Sequence, residues 1–265
     1  MTVILKLGGS VITNKADNRF EVREDVVRRL CKEIAEARSQ RDFKLVLVHG
    51  AGPFGHTVVT EYGIQKGLDV ERGVEGFVRT HNSMQDLSHA VMSLFREEGL
   101  LPFPVQTSAV LGQDAREVTW FDTKVVSGLL EVDPNIIPIL SGDVVLDASW
   151  RGSVCSGDAV VVQLAKPLGA TRVLLGTDVD GIFTGDPRKD PNAKRIEAIT
   201  KENFDQVRKA VKGSAAVDVT GGMEKKLLEV RDHLGGMDCA IFDALEPGHV
   251  RRALLGERVG TSIHL

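Results

Sequence analysis

The chain has 265 residues, 42% hydrophobic and 26% charged, with a formal net charge of -4. That length can bury a substantial core, though it lies near the size at which one core stops growing; the composition is that of a globular protein and not of a disordered one. The mild acidity argues against an extended nucleic-acid surface, while one phosphate pocket made by a few local lysines stays compatible with it. Cys31, Cys155 and Cys239 are too scattered for a disulfide framework, which points to a reducing compartment. The N-terminal apolar run breaks at Lys6 and at the glycines after it, so it reads as a strand and turn and not as a signal peptide. No segment approaches ~18 consecutive apolar residues. A cytoplasmic enzyme with no nucleic-acid partner and no stable membrane association is therefore expected.

In chain order, Val3 to Leu7 predicts a strand ended by Gly8 and Gly9. From Val22 to Ala37, Val26, Leu30, Ile34 and Ala37 recur at helical spacing among charged residues. The unbroken apolar run Leu45 to Val48 is the pattern of a strand covered on both faces, which makes a βαβ unit. A second helix is predicted from about His81 to Glu97, with Met84, Leu87, Val91 and Phe95 along one side; that stripe is read chiefly as core. Short strands follow at Phe103 to Val105 and Ile136 to Leu140, then a helix from Asp158 to Ala165 and a strand from Arg172 to Leu175. The remaining elements are helices at Phe204–Val211, Met223–Leu234 and Val250–Leu255, with strands at Cys239–Phe242 and Thr261–Leu265. Strands alternating with amphipathic helices give the α/β class. If a second lobe exists, its boundary is placed near residues 170 to 176.

Three glycine-bearing turns stand at the ends of predicted strands. The first is Lys6-Leu7-Gly8-Gly9-Ser10. Glycine opens backbone conformations closed to other residues and lets a phosphate approach backbone N–H groups; a tight structural turn explains this pentapeptide equally well. It is neither a Walker A loop nor a Gly-x-Gly-x-x-Gly fingerprint. The second turn runs from His49 to His56, with Gly50, Gly52 and Gly55 spaced through it. A helix starting there would aim free N–H groups at an anion. His56 is placed to hydrogen-bond a phosphate, and His49 is read as an orienting or structural residue. The third runs from Gly176 to Pro187 and carries Thr177, Asp178, Asp180, Gly181, Phe183, Gly185 and Asp186. It lacks the later acidic ligand of an EF-hand, so it is read as a turn enclosing adenine and ribose, or as an acidic surface turn. No His or Cys spacing makes a metal site, and no protein metal ligands are assigned.

Phosphoryl transfer needs electrostatic stabilisation of the transferring group and an acceptor held in line. Lys6 and Lys15 are early candidates; Lys225 and Lys226 follow Gly221 and Gly222 late in the chain. Asp143 follows Gly142 after an apolar run, and Asp158 stands where a helix begins. Asp158 is either a first-turn carboxylate or a group that orients lysines. An acceptor that is itself a phosphate needs no strong base, since its oxygen is already anionic near neutral pH.

These motifs, in order KLGGS at 6–10, HGAGPFGH at 49–56, SGD at 156–158, TDVDGIFTGDPR at 177–188 and DVTGGMEKK at 218–226, resemble the amino-acid-kinase superfamily across essentially the whole chain. The resemblance implies a three-layer αβα sandwich with an open, mainly parallel central sheet, the carbamate-kinase-like fold. It also implies one domain over 1–265, with an acceptor-binding lobe near 1–170 and a nucleotide-binding lobe near 171–265. ATP and Mg²⁺ are implied, and so is a homodimer, which is common in the family.

Within the superfamily the sequence is most similar to isopentenyl phosphate kinases, on the His-ended Gly-Pro-Phe-Gly-His segment with Tyr62-Gly63 after it. That likeness implies transfer from ATP to isopentenyl phosphate. By resemblance, Lys6 spans the ATP and acceptor phosphates, Lys15 reaches the transferred phosphate, His56 holds the acceptor, Asp158 organises the lysines and Lys226 serves the nucleotide side. Gly8, Gly9, Ser10, Gly221 and Gly222 join the 177–188 segment on the nucleotide. Ala51, Gly52, Gly55, Gly142 and Asp143 join His56 on the acceptor. Pro53 stands where the family more often has Ser, and Ser141 where His is common. Alternative acceptors are those of fosfomycin, acetylglutamate or carbamate kinases. A nucleotide-binding regulator without turnover is a further reading, which retention of the lysines and Asp158 disfavours.

Overall fold

The computed structural model describes residues 1–14, 20–185, 187, 190–213 and 222–265, and of residues 212, 213, 222–226 and 229 the backbone alone. In chain order the elements are β1 (Thr2–Leu7), α1 (Gly9–Ile12), α2 (Glu24–Gln40), β2 (Lys44–His49), α3 (Pro53–Tyr62), α4 (Gly73–Glu97), β3 (Leu101–Pro104) and α5 (Thr107–Val110). Then come β4 (Leu111–Asp114), β5 (Glu117–Phe121), α6 (Lys124–Val132), β6 (Ile136–Ser141), β7 (Asp143–Asp147), β8 (Arg151–Cys155), α7 (Gly157–Ala165) and β9 (Ala170–Thr177). The chain closes with β10 (Ala198–Thr200), α8 (Phe204–Gly213), α9 (Gly222–His233), β11 (Asp238–Asp243), α10 (His249–Leu255) and β12 (Thr261–His264).

Eight strands form one sheet in the order β10-β12-β11-β9-β1-β2-β6-β3. The six from β11 to β3 run parallel, whereas β12 is antiparallel to β11 and carries β10 with it. The mainly parallel sheet expected from the sequence is thus present. Alternation along β1 explains the layers. Val3, Leu5 and Leu7 point into the apolar cluster under α2, α4 and α10. Ile4 points into the opposite cluster, with residues of α6, α7, α8 and α9. Lys6 shares the parity of Ile4 and so faces the α7 side. In α2, Val27, Leu30, Cys31, Ile34 and Ala37 are buried at helical spacing.

Two differences from the sequence reading have physical causes. Helix α4 begins at Gly73, eight residues before the start read from its apolar stripe. Its first turns hold Gly73 and Gly76, because the preceding chain comes too close: a Cβ on Gly73 would lie 2.2 Å from the Leu68 carbonyl oxygen, and one on Gly76 2.3 Å from the Tyr62 Cβ. Second, β5-β4-β7-β8 form a separate four-stranded sheet that went unread. Its strands alternate buried and exposed residues or carry polar ones, such as Gln113 and Asp114, in place of continuous apolar runs. The stripe Met84, Leu87, Val91 and Phe95 is fully packed in the core.

Candidate active site

Because β1, β2, β6 and β9 are parallel, their carboxyl ends open on one edge, where ligands bind in open α/β sheets. The register makes them neighbours: Leu7 pairs with His49 and with Gly176, and His49 with Ser141. All three predicted glycine turns, and the Gly142-Asp143 pair, are thereby gathered at a single place.

The glycines first serve contact between turns. A Cβ on Gly9 would fall 2.1 Å from the Gly52 nitrogen, and one on Gly50 2.5 Å from the Gly9 nitrogen. The first two turns therefore pack backbone on backbone, which brings their amide groups together. Gly52 has φ +53°, the left-handed region that disfavours side chains, and it caps α3. Pro53 is the first residue of that helix, where a missing N–H removes a donor that the helix could not use. The N–H groups of Phe54 and Gly55 belong to the first turn, whose donors have no partner within the helix; His56 lies one residue further on and is exposed. Ala51, Gly52 and Gly55 stand beside it on the same turn.

Lys6 is only 7% exposed. Its ammonium donates to Asp158 Oδ1 at 2.5 Å, across 152 residues of sequence. Asp158 lies in the first turn of α7, whose N-cap Ser156 Oγ accepts from the Ala159 N–H. A Cβ on Gly157 would sit 3.2 Å from the His49 carbonyl oxygen, so the start of α7 packs closely on the end of β2. A compensated ammonium beside two glycine turns suits a phosphate group. At the third turn, Ser10 Oγ donates to Asp178 Oδ1 at 2.8 Å, tying the first turn to the third. Thr177 Oγ1 closes a local turn with Val179. Asp180 is engaged by Arg195, Phe183 bridges to Arg195, and Gly181 has φ +100° against Thr261.

The structure thus unites Lys6, Gly8, Gly9, Ser10, His56, Gly142, Asp143, Asp158, Thr177 and Asp178 at one edge. Lys15, Asp186 and Gly221 lie outside the described residues, as does the side chain of Lys226; Gly222 opens α9. Among the described residues, no group of three His, Cys, Asp or Glu side chains could hold a metal ion, and no helix is long and apolar enough to cross a membrane.

His49 is fully buried, with Nε2 2.9 Å from Ser88 Oγ and Nδ1 3.1 Å from the Gly50 carbonyl. Burial lowers its pKa to about 4, the Gly50 contact opposing; it is the structural histidine of the turn. Asp143 is buried too. Burial pushes its pKa up to about 6, with His81 pulling the other way, and its Oδ2 lies 2.9 Å from His81 Nδ1. Sequence reasoning missed His81. It lies 62 residues from Asp143, and nothing in the spacing of the two links them. It missed Arg195 and His249 beside Asp180 for the same reason.

The Amino acid kinase family model matches residues 1–243. The chain is 36% identical to the isopentenyl phosphate kinase of Methanothermobacter thermautotrophicus, over 98% of each chain. It is 30% identical to the isopentenyl phosphate kinase of Methanocaldococcus jannaschii, over 99% of this chain and 98% of that one. A crystallographic isopentenyl phosphate kinase, 33% identical, superposes with a TM-score of 0.83 over 99% of this chain and 100% of its own. Uridylate kinase of Bifidobacterium longum is a more distant relative, at 27% identity over 98% of this chain and 93% of its own. The chain belongs to the amino acid kinase family, in the branch of the isopentenyl phosphate kinases.

Proposed function

We infer that this chain transfers the terminal phosphoryl group of ATP directly to the phosphate of isopentenyl phosphate, yielding isopentenyl diphosphate and ADP. In the transfer the bond from the γ-phosphorus to its bridging oxygen breaks and a bond to an acceptor phosphate oxygen forms. ATP supplies the phosphoryl group, and Mg²⁺, when bound, would offset the charge of its phosphates. The acceptor oxygen is already anionic, so the residues act by positioning and electrostatics.

Lys6, oriented by Asp158, lies between the two phosphates and offsets charge on the transferring group. His56 and the first-turn N–H groups of α3 hold the acceptor phosphate, with Ala51, Gly52, Gly55, Gly142 and Asp143 forming the wall behind it. Gly8, Gly9, Ser10, the 177–186 segment, Gly221 and Gly222 serve the nucleotide. Lys15 and Lys226 add cationic charge to the transferred and nucleotide phosphates. The acceptor lobe is then 1–170 and the nucleotide lobe 171–265, in a cytoplasmic homodimer.

The observation that carries this reading is an apolar cluster beside the anion site. Val144 follows Asp143 directly and packs with Val58, Tyr62, Ile64 and Leu68, with Phe77 and Val154 at its margin. A hydrocarbon tail fits such a wall, whereas an amino-acid or sugar acceptor would need polar partners there. Full-length likeness to isopentenyl phosphate kinases supports the same acceptor. The test is ³¹P NMR of the protein with Mg²⁺, ATP and isopentenyl phosphate. Coupled diphosphate resonances of isopentenyl diphosphate should grow with those of ADP; inorganic phosphate as the sole other product would refute the transfer.

A further inference from the structure

Asp143 is a carboxylate whose side chain is wholly shielded from solvent, while His81 is 24% exposed. A charge so placed costs stability unless it is hydrogen-bonded, and here a relay of side chains leads to it. His81 Nδ1–H donates to Asp143 Oδ2 at 2.9 Å, and the Gln106 side-chain amide donates to His81 Nε2 at 2.8 Å. The other N–H of that amide donates to Ser108 Oγ at 3.1 Å, and Ser108 favours the ionised form of Asp143. Asp143 Oδ1 accepts its own strand's Val144 N–H at 2.8 Å.

The relay grips one turn. Thr107, between Gln106 and Ser108, donates its hydroxyl to the Ser141 carbonyl at 2.6 Å and receives the Ser141 N–H at 3.4 Å. Gly142 N–H donates to the His49 carbonyl at 3.2 Å, and a Cβ on Gly142 would lie 2.8 Å from the Gly157 nitrogen. Residues 141–143 are thus held from α4 and α5 against the end of β2 and against α7, which carries Asp158. We propose that His81 is a positioning residue for phosphoryl transfer, fixing the Ser141-Gly142-Asp143 turn against the acceptor site through Asp143 and Gln106. The proposal rests on the acceptor reading given above.

The test uses the full-length protein in two measurements. In amide hydrogen exchange, His81→Ala should speed exchange at residues 141–144 and leave α2 unchanged. His81→Asn, whose amide can still donate to Asp143, should return it towards the native rate. In steady-state kinetics His81→Ala should lower kcat/KM for isopentenyl phosphate by about 10- to 100-fold, the scale of a misplacement near 1 Å. The KM for ATP should move by less than about 3-fold, as expected for an effect confined to the acceptor, and the Asn variant should recover most of the loss. If His81→Ala does not fold, Gln106→Ala, at an exposed position, should give the same changes in smaller measure. Unchanged exchange at 141–144, equal rises in both KM values, or no recovery in the Asn variant would overturn the proposal. If the native protein leaves isopentenyl phosphate unphosphorylated, the acceptor reading fails, and hydrogen exchange still decides the role of His81.

Discussion

Lys6 and Asp158 form an ion pair with side chains 8% and 18% exposed, and removing one partner of such a pair leaves the other's buried charge less compensated. Asp158→Asn is expected to destabilise the protein by about 3–5 kcal/mol. The double variant Lys6→Met/Asp158→Asn should regain part of that loss while remaining inactive, which urea unfolding beside an activity assay would reveal. A double variant no more stable than the single would contradict the pairing. His49 and Asp143 make opposed contributions to pH dependence. With its folded pKa near 4 against about 6.5 unfolded, His49 takes up its proton more readily in the unfolded chain, so its contribution to stability rises with pH between those values. Asp143, near 6 folded against about 3.9 unfolded, binds its proton more tightly when folded, so its contribution falls as pH rises through nearly the same window. The two slopes offset each other. Asp143→Asn should therefore steepen the loss of stability from pH 6.5 to 4, seen as Tm against pH; an unchanged profile would mean that Asp143 does not titrate there.

Among elements, the β4–β5 hairpin turns through Ala115 and Arg116, both left-handed with φ 47° and 71° and neither a glycine. Asp147 holds it. Its carboxylate accepts the N–H groups of Ala115, Arg116, Ser149 and Trp150 and the Ser153 hydroxyl. Burial works against ionisation, but those bonds outweigh it and keep the carboxyl below its usual range. Asp147→Ala should cost about 3 kcal/mol or more, since several charge-assisted bonds go at once; a loss below about 1 kcal/mol in urea unfolding would contradict this role. At the sheet edge, the Val105 N–H donates to Ile139, so alternation turns the positions 102 and 104 outward. Both are proline and offer no N–H to another strand. Pro102→Thr/Pro104→Thr, beside the exposed Leu101 and Phe103, should produce concentration-dependent association in sedimentation beyond that of the native protein; unchanged behaviour would show that the edge needs no such guard.

For the whole molecule, the sequence was most legible where one physical signal sufficed. The apolar run Leu45 to Val48 and the spacing in α2 announced a covered sheet and its helix, and the glycine turns announced the edge where the site lies. The small second sheet escaped because its strands lack such runs, and the start of α4 because close packing on Leu68 and Tyr62 demands glycine there. Within the site, strand parity sets Lys6 on the same face as Ile4, but that α7 covers this face emerged only from the fold. The pairing of Lys6 with Asp158 came from resemblance, and the pairing of His81 with Asp143 had no signal at all, because tertiary contacts between distant residues leave none in spacing. What joins these parts is the parallel register, which sets an ammonium, a histidine-bearing turn and an apolar cluster at one edge. The most direct measurement is kcat/KM with Mg²⁺ and ATP for isopentenyl phosphate, UMP, fosfomycin and N-acetylglutamate in separate reactions. Isopentenyl phosphate should be favoured by at least about 100-fold, a margin that polar acceptors facing an apolar wall should give; an equal or higher value for another acceptor would contradict the assignment.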